Sequence, residues 1–174
     1  QTIVNFSLMK KIKNFTFISS DKAVKPKSIL GITKKFGEKI IQYEHSKNNK
    51  KSFTNFTIVR FGNVIGSSGS VIPIFLSQIS KNLPLTVTHK KVKRYFMSIS
   101  EAVQLVINAS YMNKNDLRIF ALNMGEQISI YQIAERVIRL SGKTVKDKKN
   151  KNGDVSIKIT GLKKGEKISE EITL

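Results

Sequence analysis

The sequence has no cysteine among its 174 residues, which excludes disulfides and thiolate metal sites. Its two histidines, His45 and His89, are far apart and lack partners at ligand spacing, so no zinc or other metal site is expected. No apolar run approaches the length of a membrane span, and no signal peptide is visible. The chain opens on Gln1 rather than Met. Residues 2–13 read as the end of a helix whose apolar set is Ile3, Val4, Leu8, Met9 and Ile12. The expectation is a piece whose N-terminal part is missing.

Acidic residues are scarce: 12 Asp plus Glu stand against 31 Lys plus Arg, for a formal net charge of +19. Such a balance suggests nucleic acid as a partner. The excess is mostly lysine, however, scattered over surface positions and gathered in loops such as 146–151, with no reader motif beside it. No nucleic-acid partner is expected. The positive field suits the attraction of a small anionic substrate.

What is present is a hydrophobic content of 40%, enough for a globular core, in a length that fits one domain or one domain plus a small lobe. Strand and helix patterns alternate along the chain. Residues 15–19 and 56–61 read as buried strands, the second apolar on both faces apart from Arg60. Between them, 29–47 reads as a helix with Ile29, Ile32, Phe36, Ile40 and Tyr43 along one face. A Gly/Ser loop spans 62–70, and 72–81 reads as a short helix with Pro73 in its first turn.

The later elements are shorter. Strands are expected over 85–88, 119–122 and 155–160, with a basic loop over 89–94. Ser98 with Glu101, and Ser129 with Gln132, have capping-box spacing for helices over 101–112 and 131–140, the second closed by Gly142. Residues 48–51 read as a solvated loop and 143–153 as a linker. This alternation implies an α/β fold: the C-terminal part of a Rossmann-type parallel sheet with a small α/β substrate-binding lobe. The expected division is 1–70 for the sheet domain and 71–174 mainly for the lobe, with elements returning to the sheet.

The most informative stretch is 17–34. A strand is followed by a polar turn with Asp21 and Lys22, and Lys34 lies on the first turns of the next helix. Open α/β sheets place their ligands at the C-terminal ends of their strands. An Asp and a Lys on such a turn can serve as acid and base; a solvated turn of charged residues is the alternative reading of the same spacing.

Several blocks then occur in order: Ser19-Ser-Asp-Lys-Ala-Val-Lys-Pro26, Gly31-Ile-Thr-Lys34, and Arg60-Phe-Gly-Asn-Val-Ile-Gly-Ser-Ser-Gly-Ser-Val-Ile-Pro73. Val87-Thr-His-Lys-Lys-Val-Lys-Arg-Tyr-Phe-Met97, Glu101-Ala-Val-Gln-Leu-Val106, Asn123-Met-Gly-Glu126 and Gly161-Leu-Lys-Lys-Gly-Glu-Lys167 follow. Together they resemble the nucleotide-sugar 4,6-dehydratases of bacterial polysaccharide biosynthesis, of the extended short-chain dehydrogenase/reductase superfamily. The resemblance covers 15–171.

The resemblance implies dehydration of a UDP-N-acetylhexosamine, UDP-N-acetylglucosamine foremost, to a 4-keto-6-deoxy sugar nucleotide, with internally recycled NADP (or NAD). By position, Asp21 resembles the acid that protonates the departing 6-hydroxyl and Lys22 the base at C5. Lys34 resembles the lysine that holds the nicotinamide ribose. Ser20, Asn63 and Ser67 stand at substrate-contacting positions, Ser68 and Ser70 beside them, and Arg94 resembles the arginine that meets the diphosphate. Lys163 and Glu166 fall in a segment that helps bind the nucleotide end, with Lys163 in place of the usual arginine. Leu30 occupies the place of the superfamily's catalytic tyrosine, as Met does in some larger relatives.

Gly62, Gly66 and Gly69 lack dinucleotide-fingerprint spacing and read as close-approach glycines of the substrate loop. Since no Gly-rich cofactor turn is present, the isolated chain is expected to bind NADP weakly and not to catalyse. His89 reads as a loop histidine, and Tyr95 and Phe96 as packing residues. The resemblance further implies a homo-oligomer on the cytoplasmic side, membrane-attached only through an upstream segment. The competing readings are a UDP-sugar 4-epimerase or reductase of the same superfamily, a basic nucleic-acid-binding module, and an inactive truncated relative.

Overall fold

The computed structural model describes residues 1–47, 53–67, 69–112 and 117–173. The loop expected over 48–51 and the hydroxyl of Ser68 lie outside the described residues. The chain forms two compact units, one of Gln1–Gly62, Ser100–Asn123 and Glu171–Leu174, the other of Asn63–Ile99 and Met124–Glu170.

The first unit begins with α1 (Thr2–Met9) and β1 (Asn14–Ile18). A 3-10 turn (Asp21–Ala23) leads to α2 (Ile29–Lys47) and β2 (Asn55–Arg60). After the excursion through the second unit, α4 (Ile99–Met112) and β7 (Arg118–Ala121) complete it. The three strands form a parallel sheet in the order β1-β2-β7, with Phe17 beside Ile58 and Val59 beside Phe120. β2 is the middle strand and is buried from Phe56 to Arg60, which is why its sequence is almost continuously apolar. Phe56, Ile58, Ile41 and Val4 form the core here, with Phe15, Phe17, Ile40 and Leu8 packed around them. Each such side chain contributes about 1.5–3 kcal/mol by leaving water.

The helical segment predicted over 29–47 forms, but its buried face is not the apolar one. Gly31, Glu38, Ile41 and Glu44 face inward, whereas Ile29 is 82%, Phe36 66% and Tyr43 62% exposed. The reason is close approach. A Cβ on Gly31 would lie 2.3 Å from the Lys22 carbonyl oxygen, and one on Gly37 would lie 2.6 Å from the Phe17 ring. The helix rides so near β1 and its exit turn that a Cβ at position 31 would strike backbone and one at position 37 would displace the Phe17 ring. Of the remaining inward positions, Ile41 joins the apolar core and Glu38 anchors a polar network.

The second unit holds β3 (Asn63–Val64), α3 (Val71–Ser80), β4 (Leu85–Val87), β5 (Lys93–Arg94) and β6 (Phe96–Met97). It continues with β8 (Ile128–Ser129), α5 (Ile130–Leu140), β9 (Val145–Lys146) and β10 (Val155–Ile159). Its main sheet is parallel, β4-β10-β9; β3 pairs with β6 in parallel and β5 with β8 antiparallel. α3 and α5 supply Phe75, Ile79, Ala134, Val137 and Ile138 to a core shared with Leu85, Val87, Val92, Phe96 and Val155. Ser129 caps α5 by accepting from the Gln132 amide, and Gly142 (φ 72°) closes it. α4 starts two residues earlier than its predicted 101–112.

Residues 143–153, expected as a linker, are instead an ordered part of this unit. Asp154 accepts from the amide and hydroxyl of Thr144, and Asp147 from the amides of Lys149 and Asn150. A Cβ on Gly153 would lie 2.4 Å from the Val145 carbonyl oxygen. The polar, lysine-rich composition reflects side chains that fold the backbone back on itself. These bonds hold both aspartate carboxyls below the usual range.

Candidate active site

β1 delivers the chain to its C-terminal end as an extended strand, and the Ser19 amide still bonds to the Val59 carbonyl of β2. The backbone then tightens into the Asp21–Ala23 turn because Ser20 caps it, its hydroxyl accepting from the Lys22 amide at 3.3 Å. The Asp21 amide donates to the Phe61 carbonyl, tying the turn to the exit of β2.

Asp21 is 0% exposed. Its Oδ1 accepts from Lys22 Nζ at 2.9 Å and from Ser20 Oγ at 2.8 Å. Its Oδ2 is buried and has no hydrogen-bond partner among the described residues. An unpaired buried oxygen of this kind costs about 1–3 kcal/mol, more if charged, so the site is incomplete without a donor. Lys22 is partly exposed and thus reaches both the buried carboxyl and the surface.

Lys34 lies in the second turn of α2. Its Nζ donates to the carbonyl of Ile18 at 2.9 Å and sits 5.4 Å from the Phe17 ring centroid. That uses one ammonium proton on the last residue of β1, leaving donors suited to a pair of vicinal hydroxyls. The fold therefore gathers Ser20, Asp21, Lys22 and Lys34 around the C-terminal end of one strand. Leu30 is exposed on α2.

Beneath this turn lies a group that the sequence reading did not single out. Glu38 is 0% exposed. It meets Arg60 in a bidentate pair, Nε to Oε1 and Nη2 to Oε2, each 2.7 Å. Ser19 Oγ donates to Oε1 at 2.7 Å, and Lys35 lies 3.4 Å from Oε2. Burial alone raises the Glu38 pKa. The bonds from Arg60 and Ser19, with the Arg60 and Lys35 charges, outweigh that and hold it below the usual 4.5. Two signals pointed here: Arg60 as the one charge in an otherwise apolar strand, and Glu38 one turn beyond Lys34.

The other predicted residues belong to the second unit. Asn63 opens β3, its amide bonded to the Tyr95 carbonyl. Ser67 donates its hydroxyl to the Val64 carbonyl at 2.8 Å, while Ser70 Oγ is buried without a partner among the described residues. Gly66 and Gly69 have φ of 78° and 72°, and added Cβ atoms would meet nothing within 4 Å. Positive φ, rather than close approach within the protein, is what requires glycine there. His89 accepts from the Lys91 amide, as a loop histidine does, and Phe96 is in the core.

Arg94 and Glu166 come together. Arg94 is buried; its Nη1 donates to the carbonyls of Lys93 and Ile168, and its Nη2 lies 3.3 Å from Glu166 Oε1. Thr88, another residue not anticipated, donates to the same Oε1 at 2.7 Å, and Glu166 Oε2 accepts from the Lys163 amide. The Arg94 fork is thus fixed in direction by its own unit. Lys163 enters this cluster through its backbone, with its residue exposed to solvent.

Among the described residues no helix is long and apolar enough to cross a membrane, and no cluster of His, Asp and Glu is arranged to hold a metal ion.

Comparison with known proteins agrees with this architecture. Over 162 residues, 93% of its length, the chain is 44% identical to the capsular polysaccharide biosynthesis protein CapD of Staphylococcus aureus. It spans 25% of that relative. The X-ray structure of Pen from Bacillus thuringiensis superposes with a TM-score of 0.85 at 35% identity, over 100% of this chain and 51% of that one. MoeE5 in complex with UDP-glucose and NAD shares the fold, with a TM-score of 0.81 at 13% identity, over 97% of this chain and 58% of that one. The family described as polysaccharide biosynthesis protein matches residues 1–174. The chain belongs to that polysaccharide biosynthesis protein family.

Proposed function

We propose that the protein carrying this chain dehydrates a UDP-N-acetylhexosamine, UDP-N-acetylglucosamine foremost, to a 4-keto-6-deoxy sugar nucleotide for surface glycan synthesis. The observation that carries this reading is the Asp21–Lys22 pair: a buried carboxyl, 2.9 Å from an ammonium, with one oxygen unpaired among the described residues, at a strand's C-terminal end. An epimerase needs no acid and base at C5 and C6; an elimination needs both.

A nicotinamide cofactor fits the donor set at Lys34, whose remaining ammonium protons suit ribose hydroxyls. When bound, NADP or NAD supplies a hydride acceptor for C4 and returns that hydride to C6, so no external reductant is consumed.

The chain's own residues move the protons. A 4-ketone acidifies the C5–H bond. Neutral Lys22 takes that proton, and protonated Asp21 gives its proton to the C6 oxygen, which departs as water and leaves a C5–C6 double bond. The acid and base arise from the ion pair by transfer of one proton along the 2.9 Å hydrogen bond, and elimination restores the ion pair. Lys22, whose partly exposed ammonium exchanges its protons with solvent, then protonates C5 as C6 is reduced. The proton lost from the 4-hydroxyl passes to solvent when C4 is oxidised, and one proton taken back from solvent by Lys22 after C5 is protonated returns the pair to its starting state. Leu30 carries no proton, so this work rests on Asp21 and Lys22, with Ser20 holding Asp21 Oδ1.

In the second unit, Arg94 and Lys163 meet the diphosphate and nucleotide end. Glu166 orients the Arg94 fork. Asn63 and Ser67 line the sugar. The exposed apolar face of α2 supports self-association through a second copy. Incubation with UDP-N-acetylglucosamine and NADP, followed by mass spectrometry, tests the activity. A product one water lighter is expected; a UDP-sugar of unchanged mass identifies an epimerase instead.

A further inference from the structure

We infer that Glu38 is a positioning residue for the Asp21–Lys22 turn, acting through Ser19 and Arg60 rather than on substrate. The inference rests on the reading that Asp21 and Lys22 carry the chemistry.

Stability alone does not account for this buried ion pair. Removing a carboxylate and a guanidinium from water carries a large desolvation cost, and apolar residues of similar volume commonly serve a core as well or better. What an apolar pair cannot do is orient. Glu38 directs four donors from three elements: Arg60 from the end of β2, twice; Ser19 from the exit of β1; and Lys35 from its own helix.

Each of those elements also carries part of the site. Ser19 immediately precedes Ser20 and Asp21. The residue after Arg60, Phe61, receives the Asp21 amide. Glu38 follows Lys34 by one helical turn, so the carboxylate sets that helix against the two strand ends. The rotation of Ser19 and the height of α2 over β1 thus both depend on one side chain. Its lowered pKa keeps Glu38 ionised near neutrality, so it accepts bonds and shuttles no proton.

The test uses the protein expressed from its complete gene. Glu38→Gln alone leaves Arg60 charged and uncompensated and so mixes lost stability with lost positioning; the informative variant is therefore Glu38→Met with Arg60→Met. Thermal melts, kcat and KM for UDP-N-acetylglucosamine, and hydrogen exchange at the amides of Ser19, Asp21, Ala23 and Val24 are measured on it. The expected result is a melting temperature at or above wild type, a kcat lowered at least 30-fold with KM within threefold, and faster exchange at those four amides. A double variant that melts like wild type and keeps wild-type kcat and amide protection overturns the inference. If the wild type yields no dehydrated product, the dehydratase reading fails, and exchange decides alone. Faster exchange at unchanged stability then supports the positioning role, and unchanged exchange refutes it. If the double variant does not fold, Ser19→Ala takes its place, with the same expected direction in kcat and exchange. Wild-type values of both in a folded Ser19→Ala protein overturn the inference.

Discussion

Lys22 Nζ lies 2.9 Å from Asp21 Oδ1, a bond between adjacent residues across a turn, while the second Asp21 oxygen is buried and has no partner among the described residues. The pair therefore has one proton to distribute and one vacant acceptor.

Asp21→Asn and Lys22→Ala are each expected to lower kcat for dehydration by about 10²–10⁴-fold, the usual contribution of a placed acid or base. Circular dichroism and thermal melts are expected to show both variants folded. Normal turnover in either variant would contradict its assigned role.

Gly31→Ala is expected to destabilise the protein despite alanine's better helix propensity of about 1 kcal/mol. The added Cβ would lie 2.3 Å from the Lys22 carbonyl oxygen, which is backbone and cannot swing away. The helix must shift, at a cost of about 1–3 kcal/mol. Chemical denaturation measures the loss, and kcat is expected to fall with it because Lys22 moves.

The acid limb of stability is expected to depend on Glu38. Its folded pKa lies below the ordinary 4.5, so its stabilisation is fully present above about 4.5 and is lost as pH falls through the depressed value. Melting temperature measured from pH 6 to pH 3 is expected to fall more steeply in wild type than in Glu38→Gln. The variant should be weaker at neutral pH by about 3–5 kcal/mol, because Arg60 stays buried and uncompensated. Parallel curves would show that Glu38 is not the titrating group.

Phe36 is 66% exposed on the outer face of α2. Phe36→Glu is expected to change folding stability by no more than about 0.5 kcal/mol. It should reduce the assembly state, read by analytical ultracentrifugation. An unchanged sedimentation profile would contradict self-association through this face.

The strand–turn–helix carrying Asp21, Lys22 and Lys34 was legible because each part has its own local signal: a β-branched strand, a capped polar turn and a long periodic helix. The inward face of that helix was not. Periodicity marks where apolar residues lie, and on α2 Ile29, Ile32, Phe36 and Tyr43 lie outside, because Gly31 and Gly37 let the backbone close on β1 while Glu38 shares the inner face with Ile41. Reading 143–153 as a linker failed for a related reason. Asp147, Asp154 and Gly153 resemble solvated loop residues in composition, yet their bonds and close contacts build β9 into a sheet. Two-residue strands such as β3, β5 and β8 are too short to carry a period at all. Arg94 was placed by resemblance, but Thr88, which shares Glu166 with it, had no sequence signal beyond a hydroxyl at a strand end.

The most direct measurement is mass spectrometry of the product formed from UDP-N-acetylglucosamine in deuterium oxide by the protein expressed from its complete gene. Elimination and reprotonation at C5 predict a UDP-sugar one water lighter than substrate with one deuterium at C5. A UDP-sugar that keeps its oxygen, or returns unaltered from every UDP-hexosamine supplied, would contradict the account.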